Sequence, residues 1–278
     1  MSAAEFTAAP APGAVRRGNF WRVFFIGGLI SYRALFNWFT PWMYIPTMLA
    51  APLFQILFFV YLGRSTGVGS TNFFVVGNSI QVCSMAGIYG MTMALANERW
   101  FQTLSPLLAT PANRVAIFLG RGLPVLITGL QTTAFGFLVA ALILGFRPSP
   151  SDLPGLLLTV LVTCASCTGF GMTLGSIGLR ARDVWLISNI AYFAMLLLCG
   201  VEVPQSQLPL PLRDLAQALP LTHGIAAGRL LAAGRPLGEA LPLVGWELLV
   251  GAAWAAVAFT LFAYFERSGR RNGSFDRL

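Results

Sequence analysis

The apolar positions of this chain fall in blocks too long for a water-soluble fold. Residues 65–97 carry no charged side chain, and neither do residues 122–146. A helix needs about 20 apolar residues to cross a bilayer, so each block is long enough to span. Between them lies NERWFQTLSPLLATPANRVAIFLGR, residues 97–121, polar and marked by helix breakers. That interruption predicts a short loop at one membrane face. Within it, Ser105-Pro106 reads as an N-cap followed by proline at the first helical position. Leu104, Leu107 and Leu108 then give a short helix an apolar ridge. Thr110-Pro111 stops that helix, and Asn113 is placed to cap the next span.

The same reading along the chain predicts an all-α polytopic membrane protein with six transmembrane helices. Residues 1–18 are Ala/Pro-rich and read as a disordered cytoplasmic tail, without the cleavage pattern of a signal peptide. Residues 19–39 place Asn19, Arg22, Arg33 and Asn37 within roughly 60° of one another on a helix. Ile26 and Ile30 interrupt that stripe. An interfacial helix fits, and a spanning helix is the rival. Spans are expected at about 42–62, 72–96, 114–144, 153–179, 184–201 and 240–265. The permease body is then a single domain, 19–266, followed by a basic cytoplasmic tail, 267–278. Gly63–Ser70 and Phe146–Pro154 read as external turns. Pro204, Pro209, Pro211, Pro220 and Pro236 break the stretch 202–239, leaving two short amphipathic helices, 211–219 and 222–233. Gly171-xxx-Gly175 in the fourth span allows close helix approach.

Composition sharpens the class. The chain is 56% hydrophobic and 10% charged, against about 25% charged in a soluble domain. Its net charge of +8 does not mark a nucleic-acid binder, because the arginines flank apolar spans instead of forming one solvated patch. With both termini inside, most arginines face the cytoplasm, among them Arg99, Arg114, Arg121, Arg180, Arg182 and the tail group. Only Arg64, Arg147, Arg213, Arg229 and Arg235 face out. That asymmetry supports a multi-pass protein of the bacterial cytoplasmic membrane with cytoplasmic termini. All 18 basic residues are arginine. A chain without lysine has no P-loop lysine, so ATP-driven work requires a partner. Cys83, Cys164, Cys167 and Cys199 lie in apolar runs, where cysteine acts as a small hydrophobe.

Glu98-Arg99-Trp100-Phe101-Gln102-Thr103-Leu104-Ser105-Pro106-Leu107-Leu108-Ala109-Thr110-Pro111 resembles the loop between spans two and three of the ABC-transporter type-2 permeases. These are the membrane subunits of polysaccharide, nodulation-factor and drug exporters. The family pattern is roughly E-R-x-x-G-T-L-E-x-L-L-x-T-P, then a basic residue and L-G-R, here Arg114 and Leu119-Gly120-Arg121. Gln102 stands where glycine is usual, and Ser105 where an acid is usual. Leu219-Pro220-Leu221-Thr222-His223-Gly224 is similar to the family's N-P-L-T-H run before the last span. The resemblance implies a coupling helix whose Glu98, Arg99, Thr103, Leu104, Leu107, Leu108, Thr110 and Pro111 meet an ATPase subunit. It implies two ATPase subunits and a second permease subunit, identical or homologous, in membrane lipid. ATP and Mg would sit on the ATPase, with no cofactor on this chain. It also implies that the 202–239 region dips back into the outer leaflet as a re-entrant pair.

The chemistry available on the chain is sparse. Glu247 is the acid well inside a predicted span, and intramembrane ionisable groups are functional candidates. It could also reach the interface or pair with an external arginine. His223 has no neighbouring ligands for zinc and fits helix capping or a gate. Together with Glu202 and Pro220 these are the candidates for a substrate path or external gate. Aromatic residues on spans one, two and five could line a path for an amphiphile. The expected function is the permease of an ATP-driven exporter of a drug, lipid or oligosaccharide-lipid. A membrane-embedded transferase and a proton-coupled carrier are the alternatives; each would want buried acid/base groups beyond Glu247 and His223.

Overall fold

The computed structural model of the chain describes residues 20–38, 45–67, 70–100, 113–178 and 183–272. All regular elements among these residues are helical. Helix α1 is Phe20–Trp38. A π-helical turn, Ile45–Ala50, leads into α2, Ala51–Thr66. Pro52 sits in the first turn of α2, where its missing N–H leaves a carbonyl of the preceding turn free, and the backbone widens there. The helix runs on to Thr66 and ends at Gly67 with φ 67°, so the external turn expected at Gly63–Ser70 begins later than the sequence suggests. Arg64 stays helical because its guanidinium reaches the Thr71 hydroxyl at 3.2 Å and lies over Tyr61.

Helix α3, Thr71–Met85, is capped by Ser70, whose hydroxyl accepts the Phe73 N–H. It continues through a π-helical turn, Ala86–Gly90, into α4, Met91–Trp100. Helix α5, Arg114–Ile143, starts at Asn113, whose side chain accepts from Val115 and Ala116 N–H. Helix α6 is Leu153–Gly178 and α7 is Val184–Leu198, the latter capped by Asp183 on Leu186 N–H. A 3₁₀ turn at Gln205–Gln207 precedes two short helices, α8 (Leu210–Gln217) and α9 (Thr222–Ala232). The last helix, α10, is Leu237–Asn272 and carries Pro242 near its start.

Among the described residues, four helical stretches are long and apolar enough to cross a membrane: Thr71–Asn97, Val115–Ile143, Leu153–Gly178 and Leu237–Phe265. Ala51–Ser65 and Val184–Leu198 are shorter apolar helices. The chain is an all-α polytopic membrane protein.

Helix α6 is its hub. Apolar burial gives little preference between lipid and protein here, so close backbone approach and interhelical hydrogen bonds carry the packing. A β-carbon on Gly171 would meet the Gly87 carbonyl, so α6 rests on the π-helical turn of the α3–α4 rod. On its other side a β-carbon on Gly169 would lie 2.8 Å from the Gly251 carbonyl of α10. Thr173 donates to the Trp254 carbonyl at 2.7 Å and Ser176 to the Ala258 carbonyl at 3.3 Å, tying the same two helices. Cys164 and Cys167 lie buried on α6 beside Cys83 of α3, and all four cysteines are free thiols. Helix α1 lies along α5, where a β-carbon on Gly120 would sit 2.7 Å from the Phe24 carbonyl.

Candidate functional site

Two polar constructions stand out in this apolar body. The first is the corner between α8 and α9. Glu247, on α10, is fully buried. Its carboxylate accepts the Leu221 N–H at 2.7 Å and the Gly224 N–H at 2.9 Å. Those amides belong to the N-terminus of α9, where four donors lack intrahelical partners and the helix dipole favours an anion. Leu221 has φ 84°, a left-handed value that costs a non-glycine residue about 1–3 kcal/mol. Its side chain is wholly buried, so packing holds the conformation in place.

Several other polar groups of the corner find backbone partners as well, though the buried Ser166 hydroxyl nearby has none. The Thr222 hydroxyl donates to the Ala216 carbonyl at 2.6 Å, and Trp254 Nε1–H donates to the Ala218 carbonyl at 2.8 Å. Cys199 Sγ lies 3.4 Å from the Pro220 carbonyl. His223 Nε2 lies 3.2 Å from the Gln217 carbonyl, which can only accept, so that nitrogen carries the proton. Burial pulls the His223 pKa down, with the Gln217 carbonyl pulling the other way. Irregular backbone at membrane depth survives only where protein supplies such partners. Glycine spacing completes the seat of α9: a β-carbon on Gly224 would strike Thr163 of α6, and one on Gly228 would strike Ile80 of α3. The structure thus brings Glu247, His223 and Pro220 together, and both Glu247 oxygens are taken by backbone amides.

The second construction is a polar seam between α2, α3 and α7. Tyr192 donates to Gln55 Oε1 at 2.9 Å, and Gln55 Nε2 donates to Asn78 Oδ1 at 3.3 Å. Tyr89 donates to Asn189 Oδ1 at 2.8 Å. The Tyr89 ring lies 5.7 Å from both Trp185 and Tyr192, which makes an aromatic ladder along the seam. Glu202 follows α7 at one end of it. Burial raises the Glu202 carboxyl to about 7, while the neighbouring Asn78 amide and Arg229 guanidinium pull it back. Arg229 itself is held by carbonyls, donating to Phe73 at 3.1 Å and to Val201 at 3.2 Å, with its guanidinium 3.5 Å from the Phe73 ring centroid.

Glu98 and Arg99 fall in the last turn of α4. Thr103, Leu104, Leu107, Leu108, Thr110 and Pro111 lie outside the described residues. Residue-by-residue reading passed over Gln55, Asn78, Gln81 and Asn189. The signal was present: Asn78 and Gln81 are amides three apart in an otherwise uncharged span, hence on one helix face. Among the described residues, no three His, Cys, Asp or Glu side chains come together as metal ligands would.

Long apolar helices joined through glycine contacts, with polar seams between them, define a multi-pass helical membrane protein. The chain belongs to the ABC-2 type transporter family, whose model matches residues 28–231. By family it is a membrane-embedded permease. It is similar to the "Probable multidrug ABC transporter permease YbhR" of Escherichia coli strain K12, 26% identical over 152 residues. The counterpart in Escherichia coli O157:H7 matches to the same extent. The aligned part is 54% of this chain and 41% of that relative, so the chain spans less than half the length of the curated protein it matches.

Proposed function

We propose that this chain is the membrane subunit of an ATP-driven exporter that moves an amphiphilic substrate outward across a bacterial cytoplasmic membrane. The observation that carries the reading is the family match over residues 28–231, which takes in the Glu98–Pro111 motif. In this reading α1 lies along the cytoplasmic surface and six helices span, the shorter α2 and α7 among them. The α8–α9 pair is re-entrant from outside, and both termini are cytoplasmic. Two ATPase subunits carry ATP and Mg and press on the coupling segment, with Arg99, Leu104, Leu107 and Leu108 at the contact. A second permease subunit, identical or homologous, completes the path.

Transport then follows from two-state coupling. Nucleotide must favour one arrangement of the spans over the other. The Glu98–Pro111 segment joins α4 to α5, so a push there bears on the α3–α4 rod. That rod carries Asn78, Gln81 and Tyr89 of the seam at its far side, and Ile80 beneath α9. Glu247, His223 and Pro220 hold the external corner as a rigid piece, and Glu202 stands at the mouth of the seam. A proton-coupled carrier is disfavoured because Glu247 spends its carboxylate on backbone amides. The test is ATP hydrolysis in lipid nanodiscs by this chain alone and by its complex with a co-expressed P-loop ATPase. Silence alone and substrate-stimulated hydrolysis in the complex are expected. Proton-driven flux or chemical turnover by the chain without a partner would overturn the reading.

A further inference from the structure

Three features of the seam remain unexplained by folding alone. Both carboxylate oxygens of Glu202 are buried and have no hydrogen-bond partner. Gln81 is fully buried beside the Tyr192 hydroxyl, and neither its amide oxygen nor its amide nitrogen is paired. Gln205 accepts from Gln217 through Oε1, but its buried Nε2 has no acceptor. Buried polar groups are ordinarily paired, and each exception calls for an explanation. Single waters could serve one amide. An unpaired carboxylate is a larger deficit, and it lies where α3 meets the segment after α7: a β-carbon on Gly77 would sit 2.9 Å from the Val201 carbonyl, and one on Gly200 would sit 3.2 Å from the Gln205 side chain.

We infer that this polar site, made by Glu202, Gln205, Gln81 and Asn78, receives the primary ammonium head of a cationic amphiphile. The chemistry narrows the ligand. An anionic head would meet the carboxylate. A neutral head could pair the amides but would offer the two unpaired carboxylate oxygens no charged donor. An ammonium donates three N–H groups and accepts none, which suits two carboxylate oxygens and the Gln81 Oε1. Arg229 works against any cation through its field, since it lies near Glu202 without bonding to it. Its own donors are directed to the Phe73 and Val201 carbonyls. A compact head that bonds directly to Glu202 overcomes that field better than a bulky quaternary one without N–H groups. The apolar body of the ligand has exposed apolar side chains to follow on the same helices, Phe58 on α2 and Phe193 and Leu197 on α7.

This inference names the substrate class of the exporter proposed above and rests on that reading for its meaning. Its test does not use nucleotide or ATPase. Radiolabelled dodecylammonium is titrated onto the full chain in phosphatidylcholine nanodiscs, with empty nanodiscs as blank. Saturable binding is expected for the wild type, weakened about tenfold or more in Glu202→Gln, as befits the loss of a charge-assisted hydrogen bond. Glu202→Asp should retain most of it, and Gln205→Met should weaken it less than Glu202→Gln does. Dodecyltrimethylammonium and dodecanol should bind more weakly and with no dependence on residue 202. Glu202→Gln removes a buried charge, so it should fold at least as well as the wild type, checked by thermal unfolding. Equal binding by wild type and Glu202→Gln, or no saturable binding above empty nanodiscs, would sink the inference. Saturable, Glu202-dependent binding without stimulated hydrolysis in the ATPase complex would leave this site standing and remove the exporter reading.

Discussion

Replacing Glu247 with alanine strips the acceptor from two backbone donors at once, Leu221 N–H and Gly224 N–H. Both lie in a buried corner, with Leu221 and Gly224 closed off from solvent. A buried donor left unpaired costs about 1–3 kcal/mol, so the pair together costs about 2–6 kcal/mol. The void left by the side chain adds to this, and the left-handed backbone at Leu221 loses one of its restraints. Glu247→Gln keeps one acceptor oxygen but turns an NH2 group toward an N–H, so it should lose about half or more of the same energy. The assay is hydrogen exchange by mass spectrometry in nanodiscs, following peptides that cover 216–228, with α5 peptides as an internal control. An opening made easier by even 2 kcal/mol raises exchange about 30-fold. Glu247→Ala should therefore lose protection at Leu221, Gly224 and the following turn, with Glu247→Gln intermediate and α5 unchanged. Unaltered protection in Glu247→Ala would refute the assignment of Glu247 as the cap of α9.

Other consequences can be checked separately. Gly171→Leu should abolish the monodisperse fraction on size-exclusion chromatography, because a β-carbon there meets the Gly87 carbonyl, whereas Gly238→Ala, with open space around it, should be tolerated. Leu107→Asp should uncouple transport from hydrolysis while leaving membrane insertion intact; normal transport by that variant would contradict the coupling role. The pH dependence of thermal stability should carry a signature of Glu202, whose carboxyl rises from 4.5 to about 7 on folding. The folded state then holds a proton that the unfolded state has released, so this group lowers stability as pH rises from 4.5 to about 7, with no further change above. Glu202→Gln should flatten that window in melting curves recorded across it. Arg229→Lys should destabilise the chain, because one ammonium cannot reproduce the guanidinium's fork across the Phe73 and Val201 carbonyls, and the shift should appear as a lower melting temperature.

How much of this was written in the chain differs from element to element. The blocks without charge at 65–97 and 122–146 announce membrane helices, since hydrocarbon tolerates few other side chains. Caps are equally local: Ser70, Asn113 and Asp183 each accept an amide within the next three residues, so their chemistry needs no distant partner. Gly171 and Gly175 announce a close contact but not its partner. The coupling motif at Glu98–Pro111 was legible as a resemblance, and its side-chain roles remain a proposal.

Long-range pairing is another matter. Glu247 lies 26 residues from Leu221, and nothing local says that its carboxylate turns to the end of α9 instead of to lipid headgroups, an arginine or a substrate. The π-helical turn at Ala86–Gly90 likewise meets a distant partner, the Gly171 contact of α6. The seam shows the limit most plainly. Gln55, Asn78, Gln81, Tyr192 and Glu202 are scattered over four segments, and all but Glu202 read singly as incidental polar residues in apolar runs. By itself the sequence determined the class of the protein, its helices and their caps, because those follow from the solvent and from neighbours along the chain. Which polar groups meet, and which are left without partners, only the tertiary structure decided, because in a low-dielectric interior that choice rests on angstrom-scale distances between helices far apart in sequence.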